Sequence, residues 1–331
     1  MRARLVQYLA CPDCGGELAL RQAASEGDHV VEGALDCGGC RRQFAIARGV
    51  PRLLPSGIGA LDEEVAAGFG WEWNRFDELR PEYRQQFLDW VRPLSPDDFR
   101  GKRVVEGGCG KGRHSAVVAG FGAGEVFAVD LGSAVEAAFR NTRALENVHV
   151  IQGDVAQLPL KRCAEVAFSV GVLHHLPDPA RGFRGLLDRL LPGGRIAVWV
   201  YGYEGNEWIV DFVDPVRTRL TSRVPRRLLY EVARPLGWAV AAASKGVYAP
   251  LAKLPPLHRR LFYQEYLTYI ARLPWREIHS IVFDQLVTPV AHYLRREEVA
   301  AWFDDERLRA VSIERHNGNS WRGQARLEER A

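Results

Sequence analysis

Residues 102–120 read KRVVEGGCGKGRHSAVVAG, a pattern typical of a β-strand, a glycine-rich loop and an α-helix. Val104 and Val105 would form the buried strand, and the glycines after them permit a tight turn into the helix. A strand, a loop and a helix in this order form the first unit of many α/β sheets. The sequence therefore predicts a parallel sheet whose ligand crevice lies at the carboxyl ends of its strands.

Further stretches of the chain repeat this unit. Helical patterns separate the first four of these stretches, as in a parallel sheet. After a long interval, a helix and an antiparallel pair of strands follow within residues 294–329. The pattern predicts a doubly wound, Rossmann-like α/β fold with seven strands, the last one antiparallel. The stretches are EVFAVD (125–130), NVHVIQGD (147–154), EVAFSVGVLHHL (165–176), GGRIAVWVYG (193–202), RLRAVSIERH (307–316) and SWRGQARL (320–327).

The glycine loop indicates which cofactor the crevice takes. A dinucleotide-binding loop has the pattern G-x-G-x-x-G, but counting from Gly108 the third glycine is replaced by Arg113. The loop instead reads E-x-G-x-G-x-G from Glu106 to Gly112. Such glycines let the backbone pass close to a bound ligand.

Acidic residues end the second and third strands. Asp130 lies twenty positions after Gly110, where an acidic side chain can accept both hydroxyls of a ribose. Asp154 ends the third strand, in Gly153-Asp154-Val155. The glycine loop and the two acids together predict a nucleoside-containing cofactor.

These motifs, with SVGVLHHLPDP after the fourth strand, resemble the class I S-adenosylmethionine-dependent methyltransferases of the methyltransferase type 11 kind. The resemblance covers roughly residues 102–202 and resumes near the C-terminus. It implies S-adenosylmethionine as the cofactor, with Asp154 accepting the adenine amino group and the Val155 amide meeting a ring nitrogen. The cofactor-binding residues it implies are Glu106, Gly108, Cys109, Gly110, Gly112, Asp130, Leu131, Asp154, Val155 and Gly171.

Four of the six cysteines form two C-x-x-C pairs near the start of the chain, Cys11 with Cys14 and Cys37 with Cys40. Each pair spans a tight turn that can aim two thiolates at one ion, and four thiolates suit tetrahedral Zn²⁺. A site closed by four cysteines leaves no position open for chemistry, so the zinc would be structural. Two disulfides or a redox C-x-x-C are the alternatives.

Residues 1–56 as a whole resemble the Trm112-like zinc-ribbon family, in LACPDCGGELAL, LDCGGCRRQFAIARGVPRLLP and their spacing. In that family the module supports methyltransferases. The segment holds seven Arg and six Asp or Glu, so its side-chain charge is near zero. A ribbon that grips RNA phosphates is expected to be clearly cationic.

A stretch of about ninety residues separates the fifth strand from the last two. It is too long for a structureless loop, and its apolar pattern is helical. An insertion at this point would lie above the carboxyl ends of the strands, where it could select the substrate. The alternative is a packing or dimerisation subdomain. The predicted parts are a zinc ribbon (1–56), a helical connector (57–100), a cofactor-binding core (101–202), a helical insertion or substrate lid (203–292) and a C-terminal helix with two strands (293–331).

The composition limits the classes of partner. The 331 residues carry a formal net charge of only +3, which predicts no global field for nucleic acid or an anionic membrane. The sequence contains no uninterrupted run of about 18 apolar residues, so a membrane-spanning helix is not expected. No signal peptide is evident. The sequence predicts a cytoplasmic protein with peripheral membrane contact left open, and it says nothing about the oligomeric state.

Transfer of a methyl group from a sulfonium is an in-line displacement, in which positioning does much of the work. A base is needed only when the acceptor must lose a proton. His174 and His175 follow the fourth strand and Tyr201 ends the fifth, so these three are the candidate catalytic residues, with packing as the alternative role. Four residues near the end of the insertion could reach the same pocket: His279, Asp284, His292 and Tyr293.

Three hypotheses for the function follow. The first is a methyltransferase for a small-molecule or lipid-linked biosynthetic intermediate, acting by O-methylation. The second is an rRNA or tRNA base methyltransferase that recognises RNA through its zinc ribbon. The modest charge and the lack of an (N/D)-P-P-(Y/F) motif at residues 172–177 favour the first. The third is a non-catalytic, cofactor-binding partner subunit.

Overall fold

The computed structural model describes residues 1–329, apart from the side chain of Ser222. Residues 1–53 form the ribbon, an antiparallel four-stranded sheet in the order β1-β2-β3-β4. Its two C-x-x-C turns lie side by side, one before β1 and one after β2. The ribbon strands are β1 (Leu18–Glu26), β2 (His29–Cys37), β3 (Gln43–Ala47) and β4 (Val50–Pro51).

The central sheet has seven strands in the order β10-β11-β9-β8-β5-β6-β7. The strands from β5 to β9 are parallel, while β11 runs antiparallel to both β9 and β10. The predicted fold class is confirmed. The strands are β5 (Arg103–Gly107), β6 (Glu125–Asp130), β7 (Val148–Gln152), β8 (Ala164–Val170), β9 (Leu190–Tyr201), β10 (Leu308–His316) and β11 (Ser320–Leu327).

Helices cover both faces of this sheet. The central strands are buried on both sides, and Val105, Phe127 and Phe168 have no exposed surface. Burying such a side chain stabilises the fold by roughly 1.5–3 kcal/mol. The helices of the connector and core are α1 (Ala60–Arg75), α2 (Tyr83–Trp90), α3 (Pro96–Phe99), α4 (Arg113–Gly120), α5 (Ala134–Thr142) and α6 (Pro179–Leu187).

The ribbon packs directly against the edge of the central sheet. The Leu53 N–H donates to the Gln152 carbonyl of β7 at 2.8 Å, and the Ala10 N–H donates to the Pro159 carbonyl at 3.1 Å. Side chains of the two units therefore belong to one continuous hydrophobic cluster. It includes Leu5, Leu9, Phe44 and Leu53 of the ribbon and Phe127, Ile151 and Leu160 of the central sheet.

The segment between β9 and the final helix, α13 (Arg296–Trp302), is helical. Its longest helix has 18 residues and is followed by a π-helical turn at Ser244–Tyr248. Within the described residues, no helix is long and apolar enough to cross a membrane. The helices of the segment are α7 (Asp214–Arg219), α8 (Arg226–Ala243), α9 (Ala249–Leu251), α10 (Pro255–His258), α11 (Gln264–Ile270) and α12 (Trp275–Val287).

Candidate functional site

A first cavity lies at the carboxyl ends of β5, β6 and β8, with α1 along its open side. Most of the predicted cofactor-binding residues line it. Glu106 and Gly112 do not; Gly112 instead faces α5, where a Cβ would lie 3.2 Å from Ala138 Cα. Those that line it are Gly108, Cys109, Gly110, Asp130, Leu131, Asp154, Val155 and Gly171.

The backbone of the glycine loop requires glycine at its centre. Gly108 has φ +79°, and a Cβ there would lie 2.3 Å from a methyl group of Val172. Gly110 has φ +51°, and a Cβ there would lie 3.1 Å from the indole nitrogen of Trp73. Both conformations are rare for residues that carry a side chain. The loop is therefore a fixed cradle beside the indole of Trp73.

The two strand-end acids are oriented by backbone amides. The Asp130 carboxylate accepts hydrogen bonds from the Gly110 N–H at 2.8 Å and the Gly132 N–H at 2.9 Å. The Asp154 carboxylate accepts one from the Ala156 N–H at 2.8 Å. Burial raises the pKa of both carboxyl groups, and the amide hydrogen bonds oppose this shift. Their positions fit the ribose and the adenine of an S-adenosyl group.

Glu106 lies behind the loop, not on the cavity wall. Its carboxyl is 1% exposed, accepts a hydrogen bond from the Ser115 hydroxyl and lies 3.3 Å from His114 Nδ1. Burial raises the pKa of Glu106 to about 8. Contact between Glu106 and the cofactor stays a prediction; in this structure the residue ties the strand to α4.

A second, larger cavity of about 450 Å³ adjoins the first, a size typical of small-ligand sites. Phe69, Trp73, Arg113, Gly171 and His175 line both cavities. The outer wall comes from the segment after β9, which contributes aliphatic side chains as well as aromatic ones. The aromatic residues are Phe69, Trp73, Trp90, Trp199, Tyr201, Trp208, Phe262, Tyr263, Tyr266, Tyr269 and Tyr293, and polar ones include Glu72, Gln86, Asn206, Ser280, Asp284, Asn317 and Asn319.

The three candidate catalytic residues have different surroundings in the structure. His175 lines both cavities, and its Nδ1 lies 2.8 Å from the Val290 carbonyl. An Nδ1–H donating there leaves Nε2 as a proton acceptor. Burial lowers the pKa of His175, which favours this neutral form. Of the three candidates, His175 is thus the one that lines both cavities, and its catalytic role stays a prediction.

Tyr201 and His174 are less suited to that role. The Tyr201 hydroxyl donates to Asp284 Oδ2 at 3.1 Å, and burial raises the pKa of this phenol well above its usual range. Tyr201 is thus a hydrogen-bond donor. The His174 ring is fully buried, with its centroid 3.9 Å from that of Tyr201, and lines neither cavity. Among the described residues, neither ring nitrogen of His174 has a hydrogen-bond partner.

Of the four other candidates near the end of the insertion, two line the second cavity and two do not. Asp284 and Tyr293 line the second cavity. His279 packs elsewhere, 3.0 Å from the Tyr230 carbonyl, and the His292 N–H donates to the His174 carbonyl at 2.8 Å. Sequence reasoning did not assign the wall formed by α1. The sequence feature that could have indicated this wall is the concentration of Trp and Phe in FGWEWNRF (69–76).

The four ribbon cysteines form a second site. Their sulfur atoms all lie within 4.8 Å of one another, with Cys11 and Cys40 3.6 Å apart and Cys14 and Cys37 3.5 Å apart. Zinc with Zn–S bonds of about 2.3 Å needs tetrahedral sulfur–sulfur distances of about 3.8 Å. The cluster therefore fits structural Zn²⁺, as predicted.

Comparison with known families agrees with both sites. Residues 105–198 match the model of the methyltransferase domain family, and residues 2–49 match that of the Trm112p-like proteins. The chain is similar to S-adenosylmethionine-dependent methyltransferases in its methyltransferase domain. It joins a methyltransferase domain to an N-terminal Trm112p-like domain. The predicted resemblance, enzyme class, cofactor and structural zinc are confirmed.

Solved structures with a similar fold include a complex of DhpI with SAH and a SAM-dependent methyltransferase from Aquifex aeolicus. The first is 15% identical, covers 82% of this chain and 98% of that chain, and has a TM-score of 0.48. The second is 13% identical, covers 76% and 100%, and has a TM-score of 0.40.

Curated relatives include two proteins named tRNA U34 carboxymethyltransferase. The one from Pseudoalteromonas translucida is 29% identical over 159 residues, which is 47% of this chain and 44% of the relative. The one from Klebsiella pneumoniae is 30% identical over 123 residues, or 36% and 37%. The chain thus spans less than half the length of the curated relatives it matches.

These relatives overturn the first hypothesis on the acceptor. The expectation of O-methylation of a small-molecule or lipid-linked intermediate, without nucleic acid as a partner, is wrong, because the relatives are named for tRNA modification. The expectation came mainly from the net charge, which says nothing about how charge is distributed over the surface. The second hypothesis is the one that the comparisons favour.

Proposed function

We propose that this protein transfers the methyl group of S-adenosylmethionine to a base of tRNA, in the cytoplasm. The observation that carries the proposal is the aromatic cavity of about 450 Å³ beside the cofactor cavity. Enzymes that modify a base take it out of the stack and hold it between aromatic side chains. The tRNA-modifying relatives support the same class of acceptor.

The residues shared by the two cavities would control the transfer. Bound S-adenosylmethionine supplies a methyl group already activated on a sulfonium. Phe69 and Trp73 would hold the acceptor ring in place, and closure of the aromatic walls would exclude water. Where the acceptor atom carries a proton, Nε2 of His175 would take it as the bond to carbon forms.

The charge needed to hold a polyanion is found outside the ribbon. The insertion carries twelve Lys or Arg and eight Asp or Glu, a net charge of +4. Among its described side chains, the exposed basic residues include Arg259 and Arg260, which precede Phe262 and Tyr263 of the cavity wall. Phosphates near the target base would therefore meet cations at this edge.

Incubation of the protein with methyl-labelled S-adenosylmethionine and total tRNA should place label in tRNA. Nuclease digestion and mass spectrometry of the nucleosides would identify the base and distinguish a methyl from a carboxymethyl group. The variant His175→Gln replaces the basic imidazole by a polar side chain of similar size. Where the acceptor must lose a proton, this variant should transfer the methyl group roughly 10²–10⁴-fold more slowly. Label in small molecules or lipids, with none in tRNA, would refute the proposal.

Replacing Arg259 and Arg260 by glutamine should weaken tRNA binding and its dependence on salt. Each lost phosphate contact is expected to reduce the slope of log K against log salt by about 0.7–0.9. Filter binding between low and physiological salt measures both quantities. The double variant Arg21→Gln, Arg41→Gln removes the same charge from exposed positions of the ribbon. A larger loss in this ribbon variant would assign RNA recognition to the ribbon instead.

A further inference from the structure

One carboxyl group in the aromatic cavity has an unused hydrogen-bonding atom. Glu72, on α1, is 1% exposed and lines the cavity. Its Oε1 accepts a hydrogen bond from the Ser280 hydroxyl at 2.7 Å. Its Oε2 is buried and has no hydrogen-bond partner among the described residues. A buried oxygen without a partner is unfavourable, so a ligand that forms a hydrogen bond with it would stabilise the site.

The surroundings of Glu72 favour its neutral form. Burial and the negative charge of Asp284 raise the pKa of Glu72 well above its usual range. The hydrogen bond from Ser280 and the charges of Lys111 and Arg113 act in the opposite direction. A neutral carboxyl group offers one O–H donor beside one acceptor oxygen, whereas a carboxylate only accepts.

The geometry of the walls restricts what can reach this group. Phe69 and Trp73 lie on the same helix as Glu72 and line the same cavity, so a planar ring stacked on them can turn its edge toward the carboxyl group. The imide edge of uracil has an N3–H donor next to a carbonyl acceptor. It complements a carboxyl group that offers one acceptor and one donor, as does the N1–H and O6 edge of guanine. The relatives named for tRNA U34 favour uracil over guanine.

We propose that Glu72 is a specificity-determining residue that pairs with the imide edge of a uracil base held in the aromatic cavity. This inference rests on the proposed function and deepens it, since it names the base. Ser280 acts as a positioning residue, because its hydroxyl fixes the carboxyl group from behind.

The test compares two probes, uridine and N3-methyluridine, binding to the full-length protein saturated with S-adenosylhomocysteine. N3-methyluridine lacks the N–H that Glu72 would accept and is otherwise almost the same shape. Ligand-detected NMR titration should show uridine binding roughly tenfold or more tightly than N3-methyluridine. Equal affinity for the two probes, or no binding of either, would overturn the proposal.

Two variants separate recognition from packing. Glu72→Gln keeps one donor and one acceptor in the same place and should retain the preference for uridine. Glu72→Leu has similar volume without polar atoms and should bind both probes with the same affinity. Thermal melting and S-adenosylhomocysteine binding verify that each variant is folded. A purely structural Glu72 would change the melting temperature and leave the ratio of the two affinities unchanged, which contradicts the proposal.

The result is independent of the tRNA-labelling experiment. Label in a purine of tRNA, or in cytidine, would refute the role of Glu72 and leave tRNA methylation intact. Preferential binding of uridine with no label in tRNA would refute the proposed function and leave the uracil site standing.

Discussion

Replacing Asp130 by alanine should lower the affinity for S-adenosylmethionine by roughly 10²–10⁴-fold. The carboxylate holds the Gly110 and Gly132 amides and is predicted to accept the ribose hydroxyls, so the change would remove charge-assisted hydrogen bonds on both sides. Each hydrogen bond to a charged group contributes about 1.5–3 kcal/mol. Isothermal titration calorimetry with S-adenosylhomocysteine gives the affinity directly.

The matched control for this variant is Asp36→Ala, which removes a carboxylate from the ribbon, where Gln43 and Arg21 are its partners. It should bind the cofactor as the unmodified protein does. An Asp130→Ala protein that binds S-adenosylhomocysteine within threefold of the unmodified protein, with an unchanged melting temperature, would show that the first cavity is not the cofactor site.

Removing the metal should destabilise the whole chain and not only the ribbon. Binding of structural zinc contributes an apparent 10–16 kcal/mol in small zinc modules. Because Leu9, Phe44 and Leu53 belong to the same hydrophobic core as Phe127, loss of the ribbon exposes the sheet edge. We expect Cys37→Ser, or treatment with a strong chelator, to lower the melting temperature by roughly 10 °C or more.

Elemental analysis provides the accompanying measurement. One zinc per chain is expected in the unmodified protein and much less in Cys37→Ser. Cys163→Ser is the matched control, because Cys163 is a buried cysteine outside the ribbon, and its zinc content should be unchanged. Fully folded protein with less than half an equivalent of zinc would contradict the assignment.

The parts of the site that come from one short stretch of sequence could be predicted. The glycine loop needs positive φ angles at Gly108 and Gly110, and such requirements leave a local pattern. The strand-end acids are also local, because a parallel sheet brings the ends of its strands together. The cysteine pairs follow from the coordination geometry of zinc.

The second cavity could not be predicted in this way. Glu72 and Ser280 are 208 positions apart, and nothing in either neighbourhood shows that their helices meet. The distinction between His174 and His175 is similarly inaccessible, since adjacent residues of a 3-10 turn point in different directions. How far Glu106 is buried behind the glycine loop depends on how α4 packs against the sheet, and the E-x-G-x-G-x-G pattern does not specify this packing.

The wrong expectation about the methyl acceptor has a different cause. A net charge of +3 sums an almost neutral ribbon and a cationic insertion, so the total conceals the difference between them. Electrostatic attraction of a polyanion depends on local surface potential rather than on the total. The near-neutral charge of the ribbon also pointed away from RNA, because the cationic segment of this chain is the insertion.

The pairing of β9 with β11 has a consequence for synthesis. Tyr201 lies opposite Ser320, so β9 leaves the ribosome well before the strand that will cover it. At about 5–20 residues per second, the delay is on the order of ten seconds. Throughout that time the nascent chain presents an open strand edge, which is a template for unwanted pairing with other chains. The consequence of separating the two strands by a long helical segment is therefore a period of exposure during translation, when a chaperone would be of most use.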